Sequence, residues 1–513
     1  MKTHVMISQE LSKQIGVTAL TEACNCRTPQ GRRLKNALVF YPPSQIDELR
    51  SEFQAIDNLR VMIATNHPEV IEGQTQLSRL RELRGTFSRL EKGGLLNDTE
   101  FFELKSALKV FFRISRLKAL LNAAGLQFLV TKKASKLLDP AGSGNPAFHI
   151  YSAYSPELAK IRQEKKELER AIALEKGSQR QTLLRQRTLL VDREDQLENS
   201  IRVELGEKLL KWLPEMQHNI ETCALLDFRI AKAELALRWN GVLPTLLSNE
   251  TPTQIKNASH PVIAKMLENQ GQQFTPVSIE LHKGTTVLSG ANMGGKSIAL
   301  KTVFLALLMC QLGYFPVCER IQTPLFDFMA FESNQEGDLN RGLSSFGLEA
   351  VQIREHYRRS RSEVGLIIMD EPCRGTNPTE ATAIVQALCN IYGRSSSRFF
   401  IATHYHVMPN PGIRFYQVRG IRTESLAELP PHRLQSNTSD KNDKTDHRSY
   451  DLHEDISRVR RIQNLMDYRL EEISENTRIP SGAIKIAELL GVNQELLHEM
   501  ETARQEEEWQ NSD

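Results

Sequence analysis

Apolar residues recur three and four positions apart through residues 1 to about 135, a spacing that predicts a mainly helical region. Glu100 to Leu121 is the clearest helical stretch, with Phe101, Phe102, Leu104, Leu108, Val110, Phe111, Ile114, Leu117 and Leu121 making one broad apolar face. Asp139 to Pro146 is a cluster of turn formers, and Ala147–Tyr151 after it has the pattern of a short strand. From Glu157 to Leu213 there is no proline and charge is dense and nearly balanced. Leu158, Ile161, Leu168 and Ile172 mark one apolar seam there and Leu183, Leu190 and Leu197 another, with Gly177-Ser178 between them. That pattern predicts a helical hairpin whose arms pack in coiled-coil fashion, the first of about 20 residues and so roughly 30 Å long. Residues 214–245 return to an apolar helical pattern, which makes the hairpin an excursion from a helical domain. From about 255 to 425 strand-like and helical runs alternate, as in a parallel α/β sheet. A polar segment, Gln435 to His453, precedes a last helical pair over Asp455–Gln463 and Gly482–Gln505.

Composition narrows the class without choosing a function. At 513 residues the chain exceeds one ordinary core, so about two to four domains are expected. Apolar content of 40% and charged content of 25% fit a globular protein. The formal net charge of +2 means that any nucleic-acid surface must be local. The N-terminus lacks an apolar leader and no apolar run reaches membrane-spanning length, so a cytoplasmic protein is expected. The seven cysteines form no framework, and reduced thiols are the simplest reading.

The chemistry concentrates in three short runs. Gly290-Ala291-Asn292-Met293-Gly294-Gly295-Lys296-Ser297 satisfies G-x-x-x-x-G-K-[ST] between an apolar run, Thr285–Ser289, and a helical one, Ile298–Leu312. Glycines there let backbone N–H groups converge on one phosphate, at a helix N-terminus that adds positive potential. Lys296 would reach the β- and γ-phosphates and the Ser297 hydroxyl would ligate Mg²⁺. Gly365–Glu371 reads as a buried strand ending in two carboxylates, with Asp370 on the magnesium and Glu371 orienting the attacking water. Phe399–His404 reads as a further strand, and His404 is placed to sense the γ-phosphate. ATP and Mg²⁺ are therefore the expected ligands.

These residues resemble the ATPase core of MutS-type proteins. The likeness rests on Asn-Met-Gly-Gly-Lys-Ser at 292–297, Asp-Glu-Pro-Cys-Arg-Gly-Thr at 370–376 and Ala-Thr-His-Tyr at 402–405. His260-Pro261-Val262 and Phe274-Thr275-Pro276 are similar to that family's lead-in to the nucleotide, where Phe274 would pack on adenine. Ser344-Ser345-Phe346 resembles its Ser-Thr-Phe signature, where Ser344 would reach the nucleotide of a neighbouring subunit. Arg27–Leu34 looks like the start of its helical core, and Ile484–Gly491 is similar to its C-terminal dimerisation helices.

The resemblance implies an α/β plus all-α chain: a P-loop (ABC-type) ATPase domain with a parallel-rich sheet, preceded by a helical core or lever domain. The divisions that follow are a helical core over 1–155, a clamp-like hairpin over 156–213 and return helices over 214–250. The ATPase domain covers 251–425, a mobile polar loop 426–455 and a helical dimerisation segment 456–513. A homodimer or related heterodimer is implied, with ATP hydrolysis driving conformational change and DNA as partner. Set beside mismatch-repair members, the sequence is expected to start at the helical core, with no counterpart of their mismatch-reading and connector domains. Phe101-Phe102-Glu103 matches their Phe-x-Glu wedge only formally, inside an apolar helical run. Branched or mismatched DNA is the expected substrate, and candidate phosphate contacts are Arg27, Arg32, Arg33 and Lys35, then Arg79, Arg81, Arg84 and Arg89, then Lys160, Arg162, Lys165 and Lys166. The alternative is remodelling of a protein client, as by reactivating subunits of cobalamin-dependent aminomutases.

Overall fold

The computed structural model describes residues 4–142, 144–145, 147–290, 295–333, 345–421, 466–474, 484, 487–488 and 492–510. Its strands are β1 (Val5–Met6), β2 (Thr245–Leu246), β3 (Thr253–Ala258), β4 (Val277–Leu281), β5 (Gly284–Ser289), β6 (Arg320–Thr323), β7 (Phe328–Ser333), β8 (Gly365–Asp370), β9 (Arg398–Ala402), β10 (Ile413–Ile421) and β11 (Met466–Ile473). The first helices are α1 (Gln9–Ile15), α2 (Val17–Ala23), α3 (Pro29–Ala37), α4 (Ile46–Ala64), α5 (Pro68–Leu77), α6 (Arg84–Glu91), α7 (Asp98–Ile114), α8 (Lys118–Ala124) and α9 (Lys132–Leu138). The rest are α10 (Pro156–Leu174), α11 (Ser178–Leu210), α12 (Leu213–Trp239), α13 (Pro261–Asn269), α14 (Gly295–Gln311), α15 (Ser345–Ser360), α16 (Pro378–Gly393) and α17 (Gln494–Gln510).

The chain forms two compact units: residues 1–20, 40–50 and 239–513 in one, and 21–39 with 51–238 in the other. The first holds every described strand. Its larger sheet runs β1-β7-β8-β9-β5-β10-β11, parallel throughout except for the antiparallel β10–β11 pair. β5, β8 and β9 are buried along their whole length. Both faces of the sheet are covered: Phe304 of α14 meets Phe331 edge-on at 5.4 Å, and α16 packs Val385 and Leu388 with Val287, Ile367, Phe399 and Ile401. Burial on both sides is why these strands read as unbroken apolar runs rather than alternating ones. A smaller sheet, β2-β6-β3-β4, is mainly antiparallel.

The second unit is helical. Thr28 caps α3, its hydroxyl accepting from the Gly31 N–H at 2.8 Å and donating to Asp227 at 2.7 Å. Glu52 is buried between Lys232 at 3.1 Å and Arg229 at 2.7 Å, and those cations hold its carboxyl below the usual range against the opposing effect of burial. α10 and α11 form the expected hairpin, joined by the short connection around Gly177.

Four expectations from the sequence change. Glu100–Leu121 is two helices, because the chain turns at Ser115–Leu117, where Leu117 donates to the Ile114 carbonyl. Ala147–Tyr151 pairs with no described strand; Phe148 and Ile150 are buried in an extended segment instead. The boundary at 155 does not match the compact units, since β1 joins β7 and carries the N-terminal residues into the sheet-bearing unit. Within 456–513, Met466–Ile473 is a strand on β10 rather than a helix, and Val492–Asn493 break the helix expected over 482–505. Residues 426–455 and Asp455–Gln463 lie outside the described residues. All seven cysteines are buried free thiols.

Candidate nucleotide site

The C-terminal ends of β7, β8, β9, β5 and β10 lie in register along one edge, with Ser333 beside Asp370, Asp370 beside Ala402, Ala402 beside Leu288 and Leu288 beside Tyr416. Crevices at such edges are where open α/β sheets take ligands. β5 delivers Gly290 there with φ of 132°, a backbone closed to other residues, and a Cβ would sit 3.2 Å from that of Val418. At the other end of the loop a Cβ on Gly295 would meet the Tyr468 ring at 2.6 Å. Gly290 and Gly295 thus let the backbone at those two positions approach β10 and β11. Ala291, Asn292, Met293 and Gly294 lie outside the described residues.

Lys296, in the first turn of α14, is 3% exposed at its side chain. Its amine donates to the Gly290 carbonyl at 2.7 Å and lies 3.2 Å from Glu371 Oε1. Burial pulls its pKa down to about 8, with Asp370 acting in the opposite direction. Ser297 hydrogen-bonds Asp370, whose carboxyl is raised by burial and lowered in part by Ser297, Lys301, Arg374 and Lys296. Asp370 Oδ1 is buried without a hydrogen-bond partner among the described residues. A buried carboxylate oxygen left open beside a hydroxyl is the hard-oxygen set that Mg²⁺ takes, so Ser297 and Asp370 fit that ion.

Glu371 follows with φ of 50°, its N–H donating to the Ala402 carbonyl at 2.9 Å. Its carboxylate lies between Lys296 and Arg374, which contact separate oxygens. Cys373 is also left-handed, at φ of 66°. Its N–H donates to Glu349 of α15 at 2.9 Å, and its carbonyl accepts from the Tyr405 hydroxyl at 3.4 Å. Two non-glycine residues in this conformation within three positions store strain that those contacts must hold. His404, past the end of β9, is exposed beside Tyr405, and its pKa is lowered by partial burial and by Arg374 and Lys296.

Lys296, Ser297, Asp370, Glu371 and His404 are therefore brought together. Phe274 is half-buried in the connection between α13 and β4, and no described contact joins it to that group. Ser344 lies outside the described residues. Sequence reading missed Glu349, whose partner is a backbone N–H, and Tyr468, reached only through a strand that was not foreseen. It also missed the buried His356–Glu332 pair at 2.9 Å, beside a small cavity lined by Glu332, Ser333, Glu349, Gln352 and Asp370.

The basic clusters fare differently. Arg27 pairs with Glu234, Arg33 and Arg84 with Glu82, Arg81 with Glu103 and Arg89 with Glu100. On the hairpin Lys160 pairs with Glu164, and Arg162 and Lys165 with Glu194. Eight of the twelve candidates are thus paired within the chain, while Arg32, Lys35, Arg79 and Lys166 are in no ion pair among the described residues.

Residues 286–453 match the family model of MutS domain V. The chain is 29% identical over 218 residues to the DNA mismatch repair protein MutS of Staphylococcus saprophyticus, covering 42% of this chain and 24% of that one. It is 28% identical over 264 residues to that of Streptococcus gordonii, covering 50% and 30%. With the protein of the same name from Bacillus cytotoxicus it shares 25% over 296 residues, covering 56% and 32%. The chain thus spans between 24% and 32% of the length of these curated relatives. The Gly290–Ser297 loop, the paired carboxylates at the end of β8 and the end of β9 all fall inside the region matched to MutS domain V, and these likenesses support a MutS-family protein.

Proposed function

We propose that this chain hydrolyses ATP with Mg²⁺ in a P-loop, ABC-type domain, and that as a dimer it couples turnover to binding of mismatched or branched DNA. The observation that carries the reading is the convergence of Lys296, Ser297, Asp370 and Glu371 from separate strand ends onto one crevice. The placement of β9 between the strands that bear the loop and the carboxylates supports the ABC-type assignment. The match to MutS domain V and the relatives' description as DNA mismatch repair proteins support the DNA half.

In this reading the Gly290–Ser297 loop, including Ala291, Asn292, Met293 and Gly294, wraps the phosphates, and Phe274 and a second copy's Ser344 complete the nucleotide's surroundings. Mg²⁺, held by Ser297 and Asp370, would neutralise charge on the β- and γ-phosphate oxygens. Lys296 now rests on the Gly290 carbonyl and Glu371. A triphosphate is a stronger partner for that amine, and its departure frees Glu371 Oε1 to accept a hydrogen bond from the attacking water. Water oxygen then bonds to the γ-phosphorus as the bond to the ADP oxygen breaks, its proton passing to Glu371 and on to the released phosphate, and His404 would report loss of the γ-phosphate.

The test is Glu371→Gln against Lys296→Ala. Glu371→Gln should keep ATP binding and lose turnover by about 10²-fold or more. Lys296→Ala should lose binding as well. Wild-type turnover by Glu371→Gln would remove the catalytic assignment, whereas ATP turnover that neither mismatched nor four-way-junction DNA alters would remove the coupling.

A further inference from the structure

Between Glu103 and Asp139 the chain carries no carboxylate, while Arg113, Arg116, Lys118, Lys132, Lys133 and Lys136 all lie within that stretch. All six are exposed, and none is in an ion pair among the described residues. The fold gathers them. The turn at Ser115–Leu117 brings Arg113, Arg116 and Lys118 to one end of α7. Phe128 packs on Phe111 with ring centroids 6.3 Å apart, and α9 lies against α7, so the three lysines of α9 sit on an element adjacent to α7. Asn219 pins the connection between α8 and α9 through both the N–H and the carbonyl of Leu129.

The carboxylates at the two ends of the stretch face other cations, Glu103 towards Arg81 and Asp139 towards Lys105, and Glu69 accepts from the Leu120 N–H at 2.9 Å. Two of the six cations are steadied without being neutralised. The Arg116 guanidinium lies 5.5 Å from the centroid of the half-exposed Phe112 ring, and the Lys133 ammonium 5.9 Å from that of Trp212. A cation resting on a ring keeps its charge and loses less freedom when it binds.

We propose that this surface, α7's C-terminal end with α9, docks the phosphate backbone of duplex DNA. The inference rests on the DNA-binding reading above and assigns it a site other than the paired arginines at 81–89 or the hairpin. A dense row of unneutralised cations suits a polyanion, and each phosphate contact releases condensed counterions, which gives the site a salt signature.

The test is fluorescence anisotropy of the full chain on a labelled four-way junction and on its linear duplex, across a salt series. Lys132→Ala, Lys133→Ala and Lys136→Ala together should weaken binding and make the plot of log K against log salt shallower by about 2 to 3, at ~0.9 per lost phosphate contact. Arg81→Ala, Arg84→Ala and Arg89→Ala together should leave that slope unchanged. Far-UV circular dichroism checks both folds, and Arg116→Gln with Lys118→Gln replaces the triple variant should it not fold. An unchanged slope for folded lysine variants overturns the site and leaves the DNA reading standing. No binding of either DNA by the wild type overturns that reading and the site with it. Lysine-dependent binding to phosphatidylserine vesicles with the DNA slope intact overturns the site by assigning the surface to lipid.

Discussion

Glu349 and His260 show how much of the sheet-bearing unit depends on single buried side chains. Glu349 is 8% exposed, and its carboxylate holds the N–H of Cys373 in a left-handed turn two positions past Glu371. Removing a buried acceptor from a donor costs about 1–3 kcal/mol, and here the cost falls on the geometry of the carboxylate loop. Glu349→Ala should therefore lower kcat by about tenfold or more with KM for ATP little changed, and Glu349→Gln, which keeps an acceptor, should restore most of it. A fall confined to KM would show that Glu349 does not position the loop. His260 is wholly buried at the start of α13, where its Nδ1 accepts from the Ile263 N–H and its Nε2–H donates to the Ile15 carbonyl at 2.9 Å. Burial, with Lys301 nearby, lowers its pKa to about 4. The unfolded chain takes up this proton near pH 6.5 and the folded one only near 4, so the stabilisation is complete above the first value. It is lost as pH falls between the two, by about 3 kcal/mol in all. His260→Asn keeps a cap acceptor but not the titration. Urea melts between pH 7 and 4.5 should show a shallower pH dependence for His260→Asn than for the wild type, and equal slopes would sink the assignment.

Among the elements, the hairpin is bound unevenly along its length. Near its base Leu158 and Ile161 of α10 and Ile201, Leu205 and Leu209 of α11 are buried. Midway Glu194 sits between Arg162 and Lys165, which hold its carboxyl low against burial, and Glu198 joins Arg162 to Arg202. Towards the tip Leu174 is 85% exposed and Leu189 69%. Partly exposed ion pairs contribute about 0–1 kcal/mol each, far less than burial of aliphatic side chains, so the far end should open first. Hydrogen exchange read by mass spectrometry should find amides over 168–190 far less protected than those over 201–209. Uniform protection would contradict this. The same contrast explains what sequence reveals. The seam at Leu168, Ile172, Leu183, Leu190 and Leu197 is half-buried as its spacing predicts, and β5, β8 and β9 announce themselves because both their faces are covered. β11 does not, since this antiparallel edge strand carries a buried Asp467 and then alternates exposed Arg469 and Glu471 with its packed residues. Glu349 was illegible for a different reason: a side chain that serves a distant backbone N–H leaves no motif. The cationic surface at 113–136 was legible, but only as an absence of carboxylates, which a search for basic runs passes over.

At the scale of the whole molecule the question is whether one chain suffices. Lys296, Ser297, Asp370, Glu371 and His404 all come from one copy and meet at one sheet edge. Ser344, by its likeness to the family signature, would be lent by another. If two copies share two sites in this way, each site joins the phosphate loop of one chain to the Ser344 of its partner, and defects on different chains can complement. A Ser344→Ala chain has a sound loop and needs a partner's serine; a Lys296→Ala chain has a dead loop but a sound serine. Neither alone should turn over ATP at an appreciable rate. Mixed in equal amounts and allowed to exchange, half the dimers pair one of each, and one of their two sites is then intact. ATP turnover should recover to about a quarter of the wild-type value, a gain that no cis arrangement can give. A mixture no more active than the sum of its parts, after exchange is verified by differently labelled subunits, would mean that each chain completes its own site and that any dimer forms for another purpose.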